Sequence, residues 1–159
     1  MKKYIPFLAI CSFILGVVAF VLMMTTNAVV RDSLAYEGTT VLFGKTTNLY
    51  VVDVYTHGAP VALVAWILLI VAMLTSAIAS ILPLALPKHK SLAGVANALT
   101  FAMLLTSGVL VLFTKNSFGS ANGADFSSWN LGGGYITASI LSFVGAGTSA
   151  IPAAFAFLR

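Results

Sequence analysis

The sequence predicts an all-α integral membrane protein: a bundle of four transmembrane helices with cytoplasmic termini and a small extracellular β-hairpin in its first loop. Three observations predict this fold. Of the 159 residues, 60% are hydrophobic and 8% are charged, whereas ordinary soluble domains carry about 25% charge. Four apolar runs each supply about twenty residues, enough for a helix to cross roughly 30 Å of hydrocarbon. Basic residues flank these runs on one side, as the positive-inside rule expects of cytoplasmic ends.

The bounds of the four spans follow from where the apolar runs stop. The first run comes after Lys2 and Lys3. It exceeds the roughly 7–15 apolar residues of a cleaved signal peptide, which favours a retained helix. Pro60 stands where the second helix should begin, and a missing N–H costs little there. The prediction is a single domain with transmembrane helices at 4–26, 60–83, 92–113 and 134–158, outer loops at 27–58 and 114–133, and an inner turn at 84–91.

Two runs in the first outer loop are rich in β-branched and aromatic residues. They cover residues 39–43 and 49–55, and Gly44 to Asn48 between them has turn chemistry. This pattern predicts a β-hairpin with a long connection. A lone hairpin is marginally stable in water, so it should rest on the helix ends, on the second loop or on a partner. The second outer loop is rich in Gly, Ser and Asn, which predicts irregular structure.

Small side chains recur at every fourth position of the predicted spans. Such faces let helix backbones approach closely, where packing and weak hydrogen bonds replace the hydrophobic effect that lipid lacks. We expect them to form the helix-packing surfaces. The predicted packing residues are Ser12 and Gly16 in the first span, Ala72, Ser76 and Ser80 in the second, Gly94, Ala98, Ala102 and Thr106 in the third, and Ala138, Ser142, Ala146, Ala150 and Ala154 in the fourth.

The apolar runs contain no Asp, Glu, Lys, Arg or His, and this limits the chemistry of the spans. The four stretches without these residues are 4–30, 58–87, 91–114 and 126–158. Intramembrane charge normally marks proton relays and ion paths, so proton-coupled transport is disfavoured. A serine nucleophile would lack a base, so intramembrane hydrolysis is disfavoured as well. The net charge of +4 lies at the span ends and forms no groove for phosphates, so no nucleic-acid partner is expected.

Few residues outside the spans suggest a ligand site. Asp53 and His57 are weak metal-ligand candidates, because on a helix they would share one face, whereas on a strand they would not adjoin. No metal or other cofactor is expected. Lys88-His89-Lys90 has two interpretations, a topology anchor or a binding site for anionic lipid headgroups, and the anchor is favoured.

The layout resembles the claudin and peripheral-myelin-protein type of tetraspan. It shares a longer first outer loop with strands, a short inner turn and a shorter second outer loop. The Trp and Cys signature of that family's first loop is absent from residues 27–58, so no functional residue is carried over. The resemblance implies the arrangement of four helices with cytoplasmic termini.

The expected function is a non-enzymatic scaffold or accessory subunit of the plasma membrane, embedded in lipid as a homo-oligomer or in a larger complex. A strand edge in the first loop would contact the partner by β-augmentation. The alternative is an oligomeric channel or transporter component for a neutral or lipid-like solute. An outer-interface enzyme built on Asp53, His57 and Asp125 is a third, weaker hypothesis. The predicted partner-contact residues are Val41, Phe43, Val52 and Tyr55.

Overall fold

The computed structural model describes residues 5–49, 52–85 and 90–157. These segments contain six helices and five strands. The helices are α1 Ile5–Thr25, α2 Gly38–Phe43, α3 Pro60–Ala85, α4 Lys90–Leu112, α5 Thr114–Ala121 and α6 Gly133–Phe157. The strands are β1 Asn27–Arg31, β2 Leu34–Glu37, β3 Lys45–Leu49, β4 Val52–Thr56 and β5 Asn130–Leu131.

Four of the helices, α1, α3, α4 and α6, are long and apolar enough to cross a membrane. Their apolar stretches run from 20 to 26 residues, which corresponds to about 30–39 Å of helix. The prediction of a mostly helical chain with four candidate spans and a small antiparallel hairpin region is therefore confirmed.

These four helices form a closed ring in which each packs against two neighbours. Helix α1 contacts α3 and α6, and α4 contacts the same two helices, whereas α1 and α4 face each other across the ring and touch little. Buried positions on α3 recur at alternating steps of three and four, which is the seven-residue repeat of near-parallel packing. The buried residues of α3 are Ala62, Ala65, Leu69, Ala72, Ser76 and Ala79.

One end of the ring carries a cap made from two segments, one between α1 and α3 and the other between α4 and α6. Strands β2, β1 and β5 form an antiparallel sheet, in which Val29 pairs with Leu131 and so ties residues 27–37 to residues 130–131. Four aromatic rings from both segments pack beneath this sheet with centroid separations of 4.9–6.0 Å. We call Tyr36, Phe118, Phe126 and Trp129 the aromatic cluster.

The predicted hairpin exists, but it is displaced along the chain. Residues 39–43 were expected to be a strand and lie in α2 instead, because Thr40, Val41 and Leu42 are buried together and tertiary packing overrides β-propensity. Gly44, with φ of 79°, ends α2. Most of the predicted turn is strand β3, which pairs with β4 from Lys45 opposite Thr56 to Leu49 opposite Val52. The reversal at residues 50–51 lies outside the described residues.

Two further features of the cap differ from the sequence prediction. Residues 114–121, expected to be irregular, form helix α5, which is held down by the fully buried ring of Phe118. The hairpin of β1 and β2 was not predicted. Its two-residue turn places Asp32 at φ of 50°, a conformation that Asp tolerates better than most residues.

Candidate functional site

Each of the four interfaces in the helix ring contains one serine hydroxyl that donates to a backbone carbonyl of the neighbouring helix. The donations run in one direction, from α1 to α6, from α6 to α4, from α4 to α3 and from α3 to α1. We call these four residues the serine ring. The bonds are Ser12 to Gly145 at 3.1 Å, Ser139 to Gly108 at 2.8 Å, Ser107 to Ala65 at 2.9 Å and Ser76 to Ala9 at 2.6 Å.

The serine ring is buried, and each hydroxyl has a carbonyl acceptor; the Ser12 hydroxyl has two at 3.1 Å, Gly145 of α6 and Leu8 of its own helix. Ser12, the most connected member, also lies 2.6 Å from the Thr148 hydroxyl and accepts a bond from Ser149 at 2.7 Å. The α3–α4 interface adds a second contact, 2.9 Å between the hydroxyls of Thr75 and Thr100. These bonds satisfy polar groups that would be costly in an apolar surrounding. The arrangement joins each helix of the ring to its neighbours.

Only some of the predicted packing residues are buried. Each predicted set is a ladder, that is, a series of small residues four positions apart, and burial depends on how far along the helix the ladder extends. A step of four residues turns a helix by about 400°, so a ladder drifts by roughly 40° per step. Residues at the far ends of the longer ladders have therefore rotated out of the interface. The structure buries Ser12, Gly16, Ala72, Ser76, Gly94, Ala138, Ser142 and Ala146, half-buries Ser80, Ala98 and Ala150, and exposes Ala102, Thr106 and Ala154.

The expectation that Ala102, Thr106 and Ala154 pack inside the ring is thus corrected. Two members of the serine ring, Ser107 and Ser139, were missed by the sequence reasoning. A search for small residues at alternating steps of three and four residues would have found both serines, because the buried residues of these helices follow that repeat. On α6 it connects Ser139, Ser142, Ala146, Ser149 and Ala153, all of which are buried.

Asp53 and His57 do not come together as a metal site. Asp53 lies within β4 and His57 follows its end, so extended chain separates them by on the order of 13 Å. No group of three or more potential ligands occurs among the described residues. The backbone of His57 instead makes two bonds with the side chain of Asn122. The Asn122 Nδ2 donates to the His57 carbonyl at 2.9 Å, and the His57 amide donates to the Asn122 Oδ1 at 2.8 Å. His57 thus marks a link between the two segments of the cap.

The β3–β4 hairpin is the most exposed part of the cap. It forms a separate two-stranded sheet, so the outer edges of both strands have no strand partner among the described residues. Of the predicted contact residues, Phe43 and Tyr55 are 50% and 52% exposed. Val41 is fully buried because it lies in α2, which corrects its assignment to a strand edge. The side chain of Val52 lies outside the described part of the chain.

The base of this hairpin is fixed to the ring. The amide of Ala59 donates to the carbonyl of Val41 at 2.6 Å. The ring of Phe43 packs edge-on against Trp66 of α3 at 5.5 Å. The hairpin therefore projects from a firm attachment and leaves its two strands free.

The charged groups of the cap lie on its surface. The only ion pair among the described residues joins Arg31 and Asp32 at 3.9 Å, and both side chains are exposed. The backbone N–H and the hydroxyl of Ser127 both donate to the Asp125 carboxylate. These bonds lower the pKa of that carboxyl below its ordinary value, and the backbone bond is the larger cause. Lys115 donates to the backbone carbonyl of Trp129 at 3.0 Å. These contacts hold the second segment of the cap in shape.

The four apolar helices and their antiparallel cap indicate a multi-pass helical membrane protein. No protein-family model matches the chain, and no curated protein is significantly similar to it.

Proposed function

We propose that this protein is a non-enzymatic scaffold or accessory subunit of the plasma membrane that binds a partner protein or a second copy of itself through its cap. In this proposal the termini are cytoplasmic and the cap is outside, in the claudin-like layout. The observation that carries the proposal is the β3–β4 hairpin, which is anchored at its base, has no strand partner on either outer edge among the described residues, and is exposed at Tyr55.

The two hairpins of the cap differ in what supports them. The β1–β2 pair is extended by β5 and packs over the aromatic cluster. The β3–β4 pair has no third strand and no comparable packing among the described residues. A two-stranded hairpin is marginal in water, and free strand edges pair readily with another chain. Docking by β-augmentation would satisfy these edges, and the rings of Tyr55 and Phe43 would add apolar contact.

The serine ring supports a role without catalysis in the spans. Its hydroxyls are buried and donate to carbonyls of neighbouring helices, which is the arrangement of helix-packing residues. The same packing fills the inside of a single ring with side chains such as Leu104, which is 1% exposed and occupies the space that a Cβ on Gly145 would approach. A solute path would therefore have to lie between copies, and flux measured in liposomes containing the pure protein tests that alternative.

The mass of the detergent-purified particle tests the docking proposal. One chain weighs 16.6 kDa, so we expect light scattering after detergent correction to give a larger protein mass for the native chain. The variant Tyr55→Ser, which leaves the Phe43 anchor intact, should lose the added mass. Leu34→Ser is the matched control, because Leu34 is 62% exposed at the turn of the other hairpin. A native particle of single-chain mass, or equal loss in the control, would refute docking through β3–β4.

Cysteine labelling tests the orientation in the membrane. With Cys11→Ser as background, a cysteine placed at Asp125 should react with an impermeant reagent on intact cells. A cysteine placed at Lys88 should react only after the cells are opened. The reverse pattern would contradict the proposed orientation.

A further inference from the structure

A polar cleft of about 210 Å³ lies between β2 and the β3–β4 hairpin. Its walls come from four consecutive elements of the first cap segment, β2, α2, β3 and β4. The hairpin register places Lys45 opposite Thr56, and Thr47 lies two residues further along β3, so these three side chains share one face. The lining residues are Ala35, Tyr36 and Glu37 from β2, Thr40 from α2, and Lys45, Thr47 and Thr56 from the hairpin.

The cleft carries one positive and one negative group that are not paired with each other. Glu37 and Lys45 both line it, yet the only ion pair among the described residues joins Arg31 to Asp32. The hydroxyls of the three lining threonines make no side-chain hydrogen bond to another described residue, unlike the hydroxyls of the serine ring. A carboxylate that accepts and an ammonium that donates are therefore both available to a ligand in the cleft.

We propose that this cleft binds a small zwitterion, with an ammonium group beside Glu37 and a carboxylate or phosphate beside Lys45. Charge-assisted hydrogen bonds are the strong polar contacts in proteins, and the threonine hydroxyls can both donate and accept. The volume lies below the roughly 300–1,000 Å³ of drug-sized sites, which fits a ligand of a few heavy atoms. A free amino acid and the phosphoethanolamine headgroup of a lipid both carry this chemistry.

The site is distinct from the proposed docking surface. Tyr55 pairs with Thr46, so it points to the face of the hairpin opposite the one that carries Lys45, Thr47 and Thr56. A ligand in the cleft and a partner on the Tyr55 face can bind at the same time. Tyr55→Ser should therefore abolish docking and leave zwitterion binding unchanged.

Calorimetric titration of the detergent-purified full chain tests the proposal with phosphoethanolamine and L-serine as zwitterionic probes. Inorganic phosphate and ethanolamine supply the two charges separately and should bind far more weakly. Glu37→Gln and Lys45→Gln should each weaken zwitterion binding about tenfold or more, as loss of one charge-assisted contact predicts. Thr47→Val should weaken binding less, because it removes a neutral partner.

Asp53→Asn and Arg31→Gln are the matched controls, since each removes one exposed charge from the cap outside the cleft. Unfolding temperatures of all variants establish that they are folded. Binding of phosphoethanolamine alone identifies a lipid headgroup as the source, and binding of serine alone identifies a free amino acid; either supports the cleft. The proposal is overturned if neither zwitterion binds at millimolar concentration, or if the controls lose as much affinity as Glu37→Gln and Lys45→Gln.

Discussion

The helix ring and the cap are built in opposite ways. In the ring, most of the buried residues are small or carry hydroxyls, while large apolar side chains such as Leu74 and Ile81, both 60% exposed, cover the outside. In the cap, aromatic rings face inward and charged groups face outward. Helices in lipid associate by close approach and hydrogen bonds, whereas folding in water is driven by burial of apolar surface. The contrast is the one expected of a chain whose helices lie in lipid and whose cap lies in water.

The boundary between the two regions depends on close backbone approach. The amide of Gly38 donates to the carbonyl of Thr26, and the amide of Gly132 donates to the carbonyl of Ala28, each at 2.8 Å. A Cβ at Gly132 would collide with the carbonyl oxygen of Asn27. These contacts join the end of α1 to both segments of the cap.

The largest expected effect is therefore at this boundary. Gly132→Ala should lower the free energy of unfolding by about 2–3 kcal/mol, because the added methyl meets backbone rather than a movable side chain. Thermal unfolding in detergent, followed by Trp fluorescence, measures the change. Gly133→Ala is the matched control, since a Cβ there meets nothing within 4 Å, and it should be neutral or slightly stabilising.

Equal destabilisation by Gly132→Ala and Gly133→Ala would contradict the claim that close backbone approach fixes the boundary between the helix ring and the cap. It would mean that the boundary yields as easily as a free helix end. The cap could then not be treated as a rigid attachment for the hairpin.

A smaller effect separates hydroxyls that join helices from hydroxyls that do not. Ser76→Ala removes a bond from α3 to α1, whereas Ser80, one turn further on α3, bonds only the Ala77 carbonyl of its own helix. Ser76→Ala should cost about 0.6–1.7 kcal/mol, the average and the maximum measured for interhelical hydrogen bonds in a membrane protein. Ser80→Ala should change stability little. Both variants are compared by unfolding in the same detergent, and a larger loss from Ser80→Ala would refute the role of the serine ring.

The sequence predicted the helix ring better than the cap, because the two regions are built in different ways. Twenty-residue apolar runs report the spans directly, because the cost of exposing a backbone in lipid leaves few alternatives. The cap depends on contacts distant in sequence, such as Val29 with Leu131, which no local pattern encodes. The β-branched residues 39–43 favour a strand locally, and only burial against the ring makes them helical.

The candidate site shows the same division. Ser12 and Ser76 were found because a small-residue ladder passes through them, and Ser107 and Ser139 were missed because they need alternating steps of three and four. The polar cleft was not predictable, because Glu37 and Lys45 face one cavity only through the displaced register of the hairpin.

The smallest expected effect concerns pH and the surface of the cap. Two bonds from Ser127 favour the ionised form of Asp125, so its pKa in the folded protein lies below the ordinary value of 3.8. A carboxyl with a lowered pKa stabilises the fold above its unfolded pKa and loses that contribution as pH falls through the folded pKa. The amide of Ser127 should therefore report, by NMR titration, a midpoint below 3.8.

Substituting the serine separates the two causes of this shift. Ser127→Ala removes the hydroxyl at 3.0 Å but keeps the backbone N–H at 2.8 Å, which is the larger cause. The midpoint should rise toward the ordinary value and remain below it. Ser128→Ala is the matched control, because its exposed neighbouring hydroxyl makes no bond to the Asp125 carboxylate, and the midpoint should stay unchanged. A midpoint at the ordinary value in the native chain would show that the turn at residues 125–127 opens in solution, and the cap would then be less ordered at this surface than the helix ring beneath it.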